Sequence, residues 1–315
     1  MKIVKLIVLS AIVFSLVSCT VIDRKMKVYR SEERVSYFSH EDFLPEKQMT
    51  GNWYDNYNVI AHALGGIDGK EYTNSYNALV SNYNKGTRIF ETDLSYTSDG
   101  YLVLVHEWNQ YHNDFQIGEK DGWSEESLSF FKSNLIYNKY LTMTFEEMLY
   151  IMNAIPDIYL VLDTKTFDVE SNAKMYEEII EKINEVNPEL AKRIIPQAYT
   201  PELYNQIENF HFFDEIIFTL YHYYVESDGY KIFNFIRENK VKVVVMHMND
   251  DWAKAVIRDI RDYAMYDELW DYSNLRIYIH TINDYDIARD IIHEEKFYGI
   301  YSDYISENDF VKEIE

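Results

Sequence analysis

Short runs of aliphatic, aromatic and β-branched residues recur along this chain at 58–61, 88–94, 101–105, 159–162, 193–195, 215–220, 241–246, 276–279 and 299–301. Runs of this length and composition predict buried strands. Between several of them the apolar positions change to helical spacing. Thr144 and Glu147 form a capping-box pattern ahead of Met148, Leu149 and Met152. Met175, Ile179, Ile180, Ile183 and Val186 fall on one helical face, which Asn187-Pro188 brings to a stop. Thr200-Pro201-Glu202 reads as an N-cap followed by proline at the first helical position. Strand and helix alternate to the end of the chain, which predicts parallel strands joined by crossover helices. No Pro-, Gly- or Ser-rich linker interrupts the series. The pattern therefore predicts an α/β protein with a single TIM-type (β/α)8 barrel over residues 51–315. Ser98-Asp99-Gly100 leaves room only for a tight turn between the second and third runs, so one run is expected outside the eight-strand ring. Residues 109–140 carry no clear strand signal and are expected as an insertion over one face.

Composition narrows the class. The chain is 47% hydrophobic and 16% aromatic with 10 Gly and 5 Pro in 315 residues, which excludes disordered, collagenous and low-complexity proteins. Acidic residues number 53 against 30 basic ones, and the net charge of -23 repels polyanions, so no nucleic acid partner is expected. One cysteine makes no intramolecular disulfide and no thiolate zinc site. It is Cys19, which closes a segment with Lys2 and Lys5 and an apolar stretch, 6–17, broken by Ser10 and Ser15. That stretch is short for a bilayer span and has the marks of a secretory signal. Leu16-Val17-Ser18-Cys19 resembles the lipobox of bacterial lipoproteins. The expected organisation is a signal peptide over 1–18, a lipidated Cys19 with a polar tether over 19–50, and the barrel over 51–315. The mature protein is then extracytoplasmic, anchored to a membrane of the bacterial cell envelope through Cys19. An ordinary signal peptide with an incidental cysteine is the alternative.

Barrel chemistry sits at the C-terminal ends of strands. His62 follows the first run, Glu91 and Asp93 lie two apart within the second, His106 ends the third, and Asp163 and Lys165 end the fourth. Residues two apart share one face of a strand. If these ends converge, three carboxylates, two imidazoles and one ammonium share a pocket, a set suited to a phosphate diester. Three oxygen ligands suit a hard cation such as Mg²⁺ or Ca²⁺. Two imidazoles on opposite sides of phosphorus serve as proton acceptor and donor, and Lys165 adds positive charge in the transition state. The blander reading of a single strand-end carboxylate is a helix cap or a surface ion pair. His112, His211, His222 and His247 read as packed or exposed polar residues, while His280 fits either the pocket or the core. A glycoside hydrolase needs paired carboxyl groups across a sugar site and leaves the third acid and both histidines without a role.

These residues also carry a pattern. His62 with Gly65-Gly66, Thr73-Asn74-Ser75, Phe90-Glu91-Thr92-Asp93-Leu94, Thr97-Ser98-Asp99-Gly100 and Val105-His106-Glu107 resembles the glycerophosphodiester phosphodiesterase family, within the wider phosphatidylinositol-phospholipase-C-like superfamily. Leu162-Asp163-Thr164-Lys165, Thr281-Ile282-Asn283-Asp284 and the segment from Gly299 to Tyr304 look like its later strand-end motifs. The resemblance implies a distorted TIM barrel, His62 and His106 as acid and base, and Glu91, Asp93 and Asp163 as ligands of a divalent cation. It also implies attack by a vicinal substrate hydroxyl, giving a cyclic phosphate that water then opens. Two departures stand out: Ala63 where the family usually has arginine, and Asp163 where it usually has glutamate. The expected function is metal-dependent hydrolysis of glycerophosphodiesters or phospholipid headgroups. The alternatives are a phospholipase C or D type enzyme on phosphatidylinositol or a sphingolipid, and a surface binding lipoprotein without catalysis.

Overall fold

The computed structural model describes residues 38–45, 51–113, 124–220, 229–247, 258, 262, 275–293 and 297–311. The expected signal peptide, Cys19 and His222 lie outside the described residues. The chain divides into two units, Met1–Asp42 and Phe43–Glu315. The described part of the first holds one 3-10 turn, His40–Asp42.

All nine runs of the second unit are strands: β1 Val59–Ala61, β2 Ile89–Tyr96, β3 Leu102–Leu104, β4 Tyr159–Asp163, β5 Ile194–Ala198, β6 Ile217–Thr219, β7 Val243–His247, β8 Arg276–His280 and β9 Gly299–Ser302. The helices described among them are α1 Tyr76–Asn84, α2 Trp108–Asn113, α3 Leu128–Ser133, α4 Phe145–Ala154, α5 Val169–Val186, α6 Pro201–Glu208, α7 Gly229–Glu238, α8 Tyr285–His293 and α9 Glu307–Val311. The sheet order is β1-β9-β8-β7-β6-β5-β4-β2-β3, and β1 also pairs with β2, which closes a ring of eight parallel strands. β3 is the strand outside the ring. It hangs antiparallel on the far end of β2, with Leu94 opposite Leu104 and Tyr96 opposite Leu102. β5 runs on beyond the expected 193–195 through Pro196, a residue that usually ends a central strand for want of an N–H. Pairing with β6 begins only at Gln197, past the proline.

The ring encloses a core of Ile60, Ile89, Val161, Ile195, Ile217, Val243, Val245, Tyr278 and Tyr301, with Trp53, Tyr54 and Tyr57 from the segment before β1 packed into the same cluster. Burying these side chains is the main stabilisation of the barrel, since apolar area removed from water contributes roughly 25 cal/mol per Å². Helices cover the outside as their apolar spacing requires. In α4, Thr144 and Glu147 form the reciprocal capping box, and Met148, Leu149 and Met152 are buried. In α5, Met175, Ile179 and Ile183 are buried, Ile180 and Val186 are half-buried, and Asn187 caps the end. α6 opens with Thr200 as N-cap and Pro201 in the first turn. The insertion has its own small core, where Trp108, Tyr111, Leu128, Phe131, Ile136 and Tyr140 pack on Val103 and Val105. Among the described residues, no helix is long and apolar enough to cross a membrane.

Candidate active site

The strand period of two carries the barrel's inward face from apolar to polar on nearly every strand. Ile60 is followed on the same face by His62, Ile89 by Glu91 and Asp93, Val161 by Asp163, Ile195 by Gln197, Ile217 by Thr219, Val245 by His247, Tyr278 by His280, and Tyr301 by Asp303. The polar layer lies at the C-terminal ends of the strands. His106 reaches it by a different route: β3 turns back from the end of β2, and the Val105 N–H donates to the Asp93 carbonyl at 3.2 Å. The hairpin thus returns His106 to the level of Asp93.

Glu91, Asp93 and Asp163 are all buried, and each offers an oxygen within 4.8 Å of the others. Asp93 and Asp163 are opposite one another in the β2–β4 register. Lys165, at φ 51°, places Nζ 2.5 Å from Asp163 Oδ2 and 2.9 Å from Asp93 Oδ1. Burial by itself depresses the Lys165 ammonium, but Asp93, Asp163 and Glu91 together hold it above its ordinary value. Burial and the charges of Asp93 and Asp163 push Glu91 up to about 8. Asp93 stays below the usual carboxylate range: burial opposes this, and Lys165, the two histidines and a hydrogen bond from Asn74 overcome it. The Ala63 N–H donates to Glu91 Oε2 at 2.7 Å, and Asn74 Nδ2 donates to Asp93 Oδ2 at 2.8 Å. Asn74 Oδ1 also accepts from Thr92 Oγ1 at 2.7 Å, which ties the loop before α1 to β2. An all-oxygen set of three buried acids, facing one ammonium, fits a hard divalent cation.

His62 is buried, and its Nδ1 donates to Asp303 Oδ1 at 2.9 Å. Burial pulls the imidazole down, yet the Asp303 hydrogen bond and the charges of Glu91, Asp303 and Asp93 raise it to about 9. Asp303 is held in turn by Asn283, whose Nδ2 donates to Asp303 Oδ2 at 2.7 Å and whose Oδ1 accepts from the Asp303 N–H at 2.8 Å. The loop carrying His62 is clasped by Asn82, whose amide donates to the carbonyls of Leu64 and Gly66. Gly65 has φ +86°, and a Cβ there would sit 2.3 Å from Asn82 Nδ2, so only glycine fits. His106 Nδ1 is buried without a hydrogen-bond partner among the described residues. Tyr72 touches both imidazoles, its ring 4.6 Å from that of His62 and 4.9 Å from that of His106.

The structure therefore brings together all six residues singled out from the sequence. It also places His280 at the pocket, edge-on to His62 at 4.7 Å, with burial and neighbouring positive charge holding its imidazole well below 6.5. His247 is exposed beside it, while His112 is buried in the insertion 3.3 Å from Glu126, and His211 is exposed after α6. Asn74, Asn283 and Asp303 stand inside motifs visible in the sequence, but their partners are remote in the chain. Tyr72 had no sequence signal, because its place depends on a left-handed backbone at φ 55°.

No protein-family model matches this sequence, and no curated protein matches it. Solved structures do resemble it in fold. A glycerophosphodiester phosphodiesterase from Parabacteroides distasonis ATCC 8503 is 16% identical with a TM-score of 0.58, over 82% of this chain and 97% of that one. One from Thermotoga maritima is 16% identical with a TM-score of 0.55, over 82% and 97%. An Oleispira antarctica phosphodiesterase, in complex with the product sn-glycerol-3-phosphate, is 14% identical with a TM-score of 0.59, over 82% and 96%.

Proposed function

We propose that this protein is a phosphoric diester hydrolase of the glycerophosphodiester phosphodiesterase family, acting on glycerophosphodiesters or phospholipid headgroups. One observation carries the reading: three buried acids, Lys165 and two imidazoles meet at one barrel mouth. The fold supports it, since solved phosphodiesterases share the barrel, one of them with sn-glycerol-3-phosphate bound.

His62 carries a proton at neutral pH because Asp303 holds its Nδ1–H, so its other nitrogen serves as the acid that protonates the leaving alkoxide. His106 is the base that takes the proton of the attacking hydroxyl, whether a vicinal substrate hydroxyl or water. The ammonium of Lys165 lowers the cost of charge on the phosphoryl group. Glu91, Asp93 and Asp163 would hold Mg²⁺ or Ca²⁺, which supplies Lewis-acid neutralisation of the phosphoryl oxygens. On the same reading the enzyme is held extracytoplasmically by a lipid on Cys19. Mass analysis of membrane-bound protein tests the anchor, and an unmodified mature N-terminus would remove it. For the activity, the purified protein is offered a panel of phosphodiesters with excess chelator and after Mg²⁺ or Ca²⁺ is restored. Turnover that appears only with the cation is the expected result, and no turnover of any phosphodiester under either condition would sink the proposal.

A further inference from the structure

Position 63 offers a phosphate no cation. Ala63 is fully buried at φ 48°, and its N–H is committed to Glu91. The side chain that meets both imidazoles is Tyr72, packed edge-on against each. Its left-handed backbone is costly for an aromatic residue and persists only where the surroundings impose it. They do so from both sides: Ile67 and Lys70 exchange backbone hydrogen bonds before it, and the Asn74 N–H donates to the Ala63 carbonyl after it. Among the described residues, no hydrogen bond to the Tyr72 hydroxyl is formed, although the ring is half-buried. Burial, then Asp303, Asp93 and Glu91, push the phenol up to about 12, so it remains a donor at neutral pH.

In an in-line displacement the attacking and leaving oxygens lie at opposite ends of the phosphorus, and charge spreads over the three equatorial oxygens between them. If His62 serves one end and His106 the other, the phosphoryl group lies between them, and a residue packed against both borders its equatorial oxygens. We propose that Tyr72 is a further catalytic residue, whose hydroxyl donates a hydrogen bond to a non-bridging phosphoryl oxygen in place of a guanidinium after His62. This rests on the phosphodiesterase reading above.

Tyr72→Phe tests it, because the ring and its packing against both histidines remain while the donor is lost. The expected result is a fall in kcat of about 10²-fold, the usual effect of removing one donor to a developing oxyanion. Affinity for inorganic phosphate, measured by calorimetry, should weaken roughly tenfold. The melting temperature and the His62 titration seen by NMR should stay at wild-type values. Wild-type kcat and phosphate affinity in Tyr72→Phe would overturn the assignment while leaving the phosphodiesterase reading in place. A shifted His62 titration would overturn it as well, since the phenol would then act by positioning His62. A wild-type protein inactive on every phosphodiester would remove both.

Discussion

At the scale of single residues, the site depends on how far its charges are coupled. The Asp303 hydrogen bond, together with the charges of Glu91, Asp303 and Asp93, keeps His62 protonated against burial. The folded protein holds that proton to about pH 9, whereas an unperturbed histidine releases it near 6.5. Folding stability from this pair is therefore complete below about pH 6.5 and is lost as pH rises through about 9. Asp303→Asn should drop the His62 titration midpoint by at least a unit in chelator-treated protein, read by NMR, and move the alkaline limb of the activity profile the same way. An unchanged midpoint would mean that Asp303 does not set it. His106→Ala should lower turnover by roughly 10²-fold or more with the fold intact, as loss of a positioned base does. Full activity on the best substrate would take His106 out of the mechanism.

At the scale of elements, two joins decide the geometry of the mouth. The first is the β2–β3 hairpin, which carries the chain past the ring and returns it, so that an antiparallel strand delivers His106 beside Asp93. The second is the closure of the barrel at β9, which lies between β1 and β8. Gly299 sits at this crossing, where a Cβ would be 2.3 Å from the Asn58 carbonyl and 2.5 Å from the Tyr278 ring. Backbone cannot give way there as a flexible side-chain tip can. Gly299→Ala should destabilise the protein by about 2 kcal/mol or more through overpacking, measured as a lower denaturant midpoint with an unchanged slope. A variant as stable as the wild type would show that the strands can part at no cost.

At the scale of the whole molecule, a net charge of -23 and a pocket of three buried acids both favour the uptake of cations. A divalent ion that binds only the folded state adds about 2.7 kcal/mol of stability at about a hundred times its Kd. Mg²⁺ or Ca²⁺ should raise the melting temperature of chelator-treated protein. Asp163→Asn should flatten that response more than it harms folding, because it removes one ligand charge from a pocket where like charges repel. Melting curves that ignore the cation in the wild type would take the trio out of consideration as a metal site.

The alternation of strand and helix, the strand left outside the ring and the six charged or imidazole side chains at strand ends are all legible in the order of residues. These follow from short-range rules: a period of two along a strand, 3.6 along a helix, and caps three residues apart. The same period places Glu91 with Asp93 on one face without any knowledge of their neighbours. Tertiary structure alone decided what each residue meets. Asp303 is 241 positions from His62, and Asn74 is 19 from Asp93, so neither pairing has a local signature. His280 fits the core equally well by pattern, and it is the position of β8, two strands from β1 in the ring, that puts it at the mouth beside His62. Tyr72 reaches both histidines through a left-handed turn that side-chain pattern does not encode.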